Sequence, residues 1–241
     1  MTSFVLKLIA AVSMLADHTG LLLFPGKEIF RAVGRLAFPL YAFCIAEGFR
    51  YTRSRLNYFL RVFVLGVLCQ IVYTIADGEL YLGILITFSL SLVIMTLVDA
   101  LKASLRGEES SVSRLLGRIS GKALSPAADR ALCTALACAS ILGAFLLTTR
   151  VTVDYGFFGI MLPVCTSLFE ERGQRLVMFS ACLLALCIEL TWDFPVQYWS
   201  LLAVPLAAAY NGRPGRIRMK YFFYIFYPAH LAILYGISLL R

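Results

Sequence analysis

Apolar runs near the length of a bilayer crossing recur along this 241-residue chain and leave little sequence between them. A helix needs about 20 apolar residues to cross the hydrocarbon core, because each residue advances it by only about 1.5 Å. About nine runs qualify: 4–24, 31–49, 57–76, 81–101, 131–149, 155–170, 174–192, 196–211 and 219–240. The shorter ones would be tilted or half-spans. The predicted fold class is therefore all-α, a polytopic membrane helix bundle of about nine transmembrane helices forming a single domain over 1–241. Composition excludes a soluble domain, since 60% of the residues are hydrophobic and mean hydropathy is +0.82. The first run lacks a small-residue cleavage site after it, so it reads as a retained helix rather than a signal peptide.

Charge supplies the orientation. Sixteen of the 22 basic residues fall in four alternate connections, those after the second, fourth, sixth and eighth runs. The positive-inside rule places these connections and the N-terminus in the cytoplasm and the C-terminus outside. A net charge of +8 spread this way sets topology and does not point to nucleic acid. The connection 102–130 is a polar cytoplasmic loop rich in Gly, Ser and Pro; Leu105, Leu115, Leu116 and Ile119 would suit a short interfacial helix, and a flexible loop is the alternative. The seven cysteines lie almost entirely in apolar runs and form no C-x-x-C pair, so they read as small buried hydrophobes. Two histidines without clustered ligands argue against a metal site.

Polar groups inside lipid are costly, so each requires a reason. Asp17 and His18 adjoin in the outer half of the first run. Lys7 precedes His18 by eleven residues, which puts the two within about 20° of one face and about 16 Å apart along the axis. Lys7 at the cytoplasmic mouth and His18 deep inside would line one groove. Asp17 sits about 100° round the helix and needs a cation on a neighbouring span, for which Arg35 is the candidate. That pair would either tie two helices or hold a site. Glu47 closes the second run beside the arginine loop, as a solvated helix end or part of a donor site. His230 lies mid-way along the last run, where Pro228 would bend the helix, and Tyr221, Tyr224 and Tyr227 lead toward it on nearly one face. Asp154, Glu189 and Asp193 lie near outer ends, as pocket groups or helix ends.

There is no G-x-S-x-G and no Walker loop. A desolvated neutral imidazole is a good general base. Basic groups at the cytoplasmic mouths bind phosphates. A phosphate-rich group outside the core and a base within it suit an activated group on a long arm, the shape of acetyl-CoA.

The stretches "LKLIAAVSMLADHTG", "GRLAFPLYAFCIAEGFRYTR", "DYGFFG" and "YNGRPGRIRMKYFFYIFYPAHLAIL" resemble the TraX family, whose founding activity is acetylation of F pilin. The resemblance covers both ends of the chain and the order of spans between them; the 102–130 loop and the fourth span fall outside it. It implies a multi-pass protein of the bacterial inner membrane that takes acetyl from cytoplasmic acetyl-CoA. Lys7 and His18 also resemble the basic-x10-histidine pattern in the first helix of acyltransferase-3 proteins. His18 is then implied as the catalytic histidine and Lys7 as part of the donor path. Arg35, Glu47 and His230 fall on family-like motifs without an implied role.

The expected function is a membrane-embedded acetyltransferase. His18 acts as general base toward an amine or hydroxyl acceptor, a small molecule or a pilin-like N-terminus. Asp17 and Arg35 hold the geometry, and His230 and Tyr227 orient acceptor or thioester. Lys7, Arg50, Arg53, Arg213, Arg216 and Lys220, with Glu47 among them, bind the donor's phosphate end. A small proton-coupled transporter using the intramembrane Asp, His and Arg as a relay is the alternative from another class, and a pilus-assembly scaffold without chemistry is a third. Transporters often carry inverted repeats, and none is visible here.

Overall fold

A computed structural model describes residues 1–77, 81–122, 124–191, 195–215 and 220–240. In chain order the helices are α1 (Ser3–Leu22), α2 (Glu28–Gly34), α3 (Ala37–Tyr51), α4 (Arg55–Asp77), α5 (Ile84–Leu105), α6 (Ser111–Ser120), α7 (Pro126–Thr148), α8 (Gly156–Ser167), α9 (Arg172–Thr191), a 3₁₀ helix (Pro195–Leu202), α10 (Ala203–Ala208) and α11 (Lys220–Leu239). Among the described residues six helical stretches are long and apolar enough to cross a membrane, and Gly156–Ser167 and Ile225–Leu239 are shorter apolar helices. Among the described residues the secondary structure is helical apart from one isolated bridge between Leu82 and Val153.

Two expected spans differ in form. The second is two helices, α2 and α3, with the break at Arg35 and Leu36. Pro39 explains it: its ring clashes with the carbonyl four residues back, that of Arg35, and it has no N–H to give. The eighth is a 3₁₀ helix continued by the short α10. Gln197, Ser200 and Ala203 are fully buried at every third position, which matches three residues per turn and not 3.6. The spacing then lengthens to four at Ala207, where α10 begins its own register. At about 2.0 Å per residue in the 3₁₀ helix and about 1.5 Å in α10, the two rise about 25 Å in all.

The chain forms two compact units, residues 1–51 with 161–241, and residues 52–160. In the first, α1 and α2 make a tight hairpin. Pro25 and Gly26, the latter at φ 97°, turn the chain, with Lys27 N–H donating to the Phe24 carbonyl at 3.1 Å. Gly20 and Gly34 let the backbones approach: a Cβ at Gly20 would lie 2.5 Å from Phe30 Cβ, and one at Gly34 would collide with the Asp17 carboxylate. Leu6, Leu40, Leu162, Phe179, Leu183 and Leu186 are fully buried in this unit. Phe43 meets Phe179 and Tyr210 edge-on, at 5.5 and 5.7 Å between centroids. Each such contact contributes about 0.5–1.5 kcal/mol beyond its buried area.

The first turn of α1 is closed by the chain just after α10. Thr2 caps the helix, accepting from Val5 N–H. The Ser3 and Phe4 N–H groups donate to the carbonyls of Arg213 and Pro214 at 2.9 and 3.2 Å, and Asn211 N–H donates to the Met1 carbonyl at 2.8 Å. These bonds satisfy donors that a helix start leaves open. At this same end Glu47 of α3 pairs with Arg175 of α9, and Arg50 pairs with Glu170.

In the second unit α5 packs against α4 and α7. Ser91 Oγ donates to the carbonyls of Thr87 and Ile160, at 3.0 and 2.7 Å. The 102–130 stretch contains α6, the helical outcome of the two expected. Ser110 caps it by accepting from Ser113 N–H at 3.0 Å, while its hydroxyl and N–H donate to the buried Asp129 carboxylate of α7 at 2.6 and 3.2 Å. Gly121 ends it at φ 70°.

Candidate active site

The chemistry-bearing groups of the first unit gather around the C-terminal half of α1. Because α1 is unbroken from Ser3 to Leu22, the helical arithmetic that aligns Lys7 with His18 holds. Between them on that face lie Ala11 and Met14, both buried, so the face points into the unit. Lys7 itself is half-buried.

Asp17 turns away from His18 and meets two cations. Its carboxylate accepts from Arg35 at 3.0 Å and from Arg31 at 2.9 Å. The Arg35 pair is the expected one. Arg31, one helical turn earlier on α2, was not anticipated. Arg35 is 8% exposed and also donates to the side-chain oxygen of Gln197, at 3.3 Å. Gln197 belongs to the 3₁₀ helix, which Cys187 ties to α9 through its contacts with the Gln197 carbonyl and Ser200 Oγ, at 3.6 and 3.1 Å. The side-chain N–H₂ of Gln197 finds no acceptor among the described residues.

His18 meets the other histidine. Its Nδ1 lies 2.7 Å from Nε2 of His230, and Nδ1 of His230 lies 2.7 Å from the Phe226 carbonyl. The proton positions follow from donor and acceptor chemistry. A carbonyl only accepts, so His230 Nδ1 carries a proton. In a neutral ring Nε2 of His230 is then the acceptor, and His18 Nδ1 must donate to it. That leaves the lone pair of His18 on Nε2. Phe226 stacks on the His230 ring at 4.9 Å and Tyr227 lies edge-on to it at 6.1 Å, which fixes the ring further. His230 is buried and His18 half-buried.

The expected donor-binding residues divide. Glu47 is 5% exposed and held by Arg175, so it is neither a solvated helix end nor free. Arg50 is exposed and engages Glu170 through its carboxylate, at 3.1 Å, and its carbonyl, at 3.0 Å. Arg213 is exposed in the segment that closes α1. Arg53 is exposed and belongs to the second unit. Arg216 and the side chains of Lys220, Tyr221 and Tyr224 lie outside the described residues, as does Asp193. Asp154, in the second unit, accepts from the Tyr81 hydroxyl at 2.9 Å beside the left-handed residue Tyr155, and so serves a turn. Glu189 is exposed.

The family described as TraX protein matches residues 3–238. The chain belongs to the TraX family. Among the relatives of that family, a probable fimbrial assembly protein FimC of serogroup H1 from Dichelobacter nodosus is 30% identical, over 97% of this chain and 94% of its own length. Protein TraX of Escherichia coli is 25% identical, over 95% of this chain and 84% of its own length. An uncharacterized protein, RP591, of Rickettsia prowazekii (strain Madrid E) is 37% identical over 29% of this chain and 26% of its own. No solved structure matches the chain at a significant level.

Proposed function

We propose that this TraX-family chain is an acetyltransferase embedded in the bacterial inner membrane, moving acetyl from cytoplasmic acetyl-CoA to an amine or hydroxyl. The observation that carries the reading is the ordered pair His18–His230 on the Phe226 carbonyl, which directs one unprotonated imidazole nitrogen away from its own supports. A base oriented by a second group, itself oriented by a third, is the arrangement that activates a nucleophile. His18 Nε2 takes the proton from the acceptor N–H or O–H. The acceptor atom attacks the acetyl carbonyl carbon, the carbon–sulfur bond breaks, and the proton passes from the imidazolium to the leaving thiolate.

His230 shifts role in this account. Both its ring nitrogens are engaged, so it orients His18, and Tyr227 beside it is left to orient acceptor or thioester. Asp17, clamped by Arg31 and Arg35, holds the neighbouring turn of α1 against α2 and sets the His18 backbone. Lys7, Arg50 and Arg213 stand toward the end of the unit where α1 begins and would meet the donor's phosphates. Nine crossings with a cytoplasmic N-terminus agree with the alternate-loop charges. They also agree with the meeting of α1's start, α3's end, α9's start and the 209–215 segment at one end of the first unit. The acceptor is a small amine or hydroxyl, or a pilin-like N-terminus. The relatives' names, fimbrial assembly and TraX, favour the pilin class.

The test is purified protein in nanodiscs with acetyl-CoA and pools of amines and pilin-like peptides, followed by mass spectrometry for acetylated product. His18→Ala should abolish transfer while the thermal unfolding midpoint stays within a few degrees. Full turnover in that variant would remove the mechanism.

A further inference from the structure

A cavity of about 200 Å³ opens at the end of the first unit where α1 begins, with Gly212 of the α1-closing segment in its wall. Its floor is the buried pair Glu47–Arg175, in which the two charges cancel. Above it stand Arg50 and Arg172 against one carboxylate, Glu170, and the aromatic walls Phe43, Tyr51 and Tyr210. The rim is therefore a net cation. The Glu170 side chain is 72% exposed, and an ion pair that open contributes little and exchanges readily for a better anion. Arg172 gives an N–H to the Ala208 carbonyl, one of the five donors a guanidinium carries. Arg50 also lies over the Tyr51 ring at 5.8 Å. Tyr210 is buried and offers a phenolic O–H donor. Forked guanidiniums beside flat aromatic walls suit phosphoryl oxygens and a planar base together.

The cavity and the His18 base stand at opposite ends of one helix. From Ser3 to His18 is fifteen residues, or about 22 Å of rise. A ligand serving both must carry its phosphates at one end and its reactive carbon on a thin arm of that order. We propose that this cavity receives the phosphorylated nucleotide end of an acyl-CoA donor, with Arg172 and Arg50 on the phosphoryl oxygens and Tyr51 and Tyr210 against the base. Glu170 holds Arg50 in place until the donor displaces it. The proposal rests on the acyl-transfer reading above and adds where that donor is gripped. A phospholipid headgroup shares the phosphate chemistry but offers no activated acyl group to His18.

The full chain in phosphatidylcholine nanodiscs provides the test, by calorimetry with adenosine 3′,5′-bisphosphate and by turnover of acetyl-CoA against acetyl-pantetheine, which lacks the nucleotide. Arg172 and Arg50 are exposed, so Arg172→Gln and Arg50→Gln should fold. Each is expected to weaken bisphosphate binding by about tenfold and to raise KM for acetyl-CoA by a similar factor, with kcat held and acetyl-pantetheine turnover unchanged. Equal bisphosphate affinity in wild type and both variants overturns the site, as does an equal loss with the two donors. If phosphatidylglycerol nanodiscs block the bisphosphate and acetyl-CoA turnover is untouched, the cavity is a headgroup site and the proposal falls. Acetyl-pantetheine turnover that depends on His18, without bisphosphate binding, keeps the acyl-transfer reading and discards the cavity. Arginine-dependent bisphosphate binding with no turnover of either donor does the reverse.

Discussion

Replacing His230 by Phe tests the central geometry most directly. The Phe ring can keep the stack on Phe226 that His230 makes at 4.9 Å, but it offers no acceptor to His18 Nδ1. A buried N–H without a partner costs about 1–3 kcal/mol. His18 avoids that cost by moving its proton to Nε2 or by turning its ring, and either change removes the base from the acceptor. At about 1.4 kcal/mol per decade, His230→Phe should lower kcat by about 5- to 150-fold. KM for acetyl-CoA should hold, because His230 makes no donor contact in this account. The assay is release of CoA thiol from acetyl-CoA by protein in nanodiscs, with an amine pool as acceptor.

Two controls separate orientation from packing. His230→Gln supplies a carbonyl oxygen that can accept from His18 Nδ1, so it should retain more activity than Phe. In the His18→Ala background His230→Phe should cost almost nothing further, since residues acting as one unit are not additive. Full kcat in His230→Phe, or independent losses in the double variant, would refute the ordered-pair argument.

Three further outcomes concern the scaffold, the first two read by thermal labelling of the buried thiols Cys44, Cys182 and Cys187. Gly34→Ala drives a methyl into the Asp17 carboxylate and should destabilise by about 1–3 kcal/mol, whereas Gly143→Ala, with open space around it, should leave the midpoint unchanged. Glu47→Gln strands the buried Arg175 and should cost about 3–5 kcal/mol; replacing both residues by Leu should recover most of that loss. Ser110→Ala removes the cap of α6 and the partner of Asp129, so hydrogen exchange in 111–120 should rise, by about the fivefold that a cap of about 1 kcal/mol implies.

What the sequence made legible follows from one period. On an unbroken α-helix 3.6 residues per turn fix which residues share a face, and that sufficed to align Lys7 with His18 and turn Asp17 toward Arg35. It failed where the period changes. Arg31 joins Asp17 because Pro39 breaks the second span and leaves α2 as a separate short helix across from α1. Gln197 was missed because its element repeats every three residues, a pattern that hydropathy averages away, although Gln197, Ser200 and Ala203 spelled it out. The pairs His18–His230 and Glu47–Arg175 join residues far apart in the chain, and no local period records them. His18 and His230 were visible as polar groups inside the apolar runs, whereas Glu47 read as a helix end or donor-site group, and only the packing of helices gave each its partner.

The same network bears on the proposed base catalysis and on proton transport, the competing use of intramembrane polar groups. A transport relay must hand a proton on, entering at one end and leaving at the other. Among the described residues this chain of bonds ends on the Phe226 carbonyl, which accepts a hydrogen bond but has no proton to pass. Asp17 could have extended a relay from His18, but it is clamped by Arg31 and Arg35, and guanidiniums do not deprotonate in proteins. Among the described residues, a proton that reaches His18 Nε2 therefore has that same nitrogen to leave by. Such a site can borrow a proton from a nucleophile and return it to a leaving group in one turnover. The fixed tautomer that makes His18 a poor link in a wire is what suits it to the directed base of the proposed mechanism.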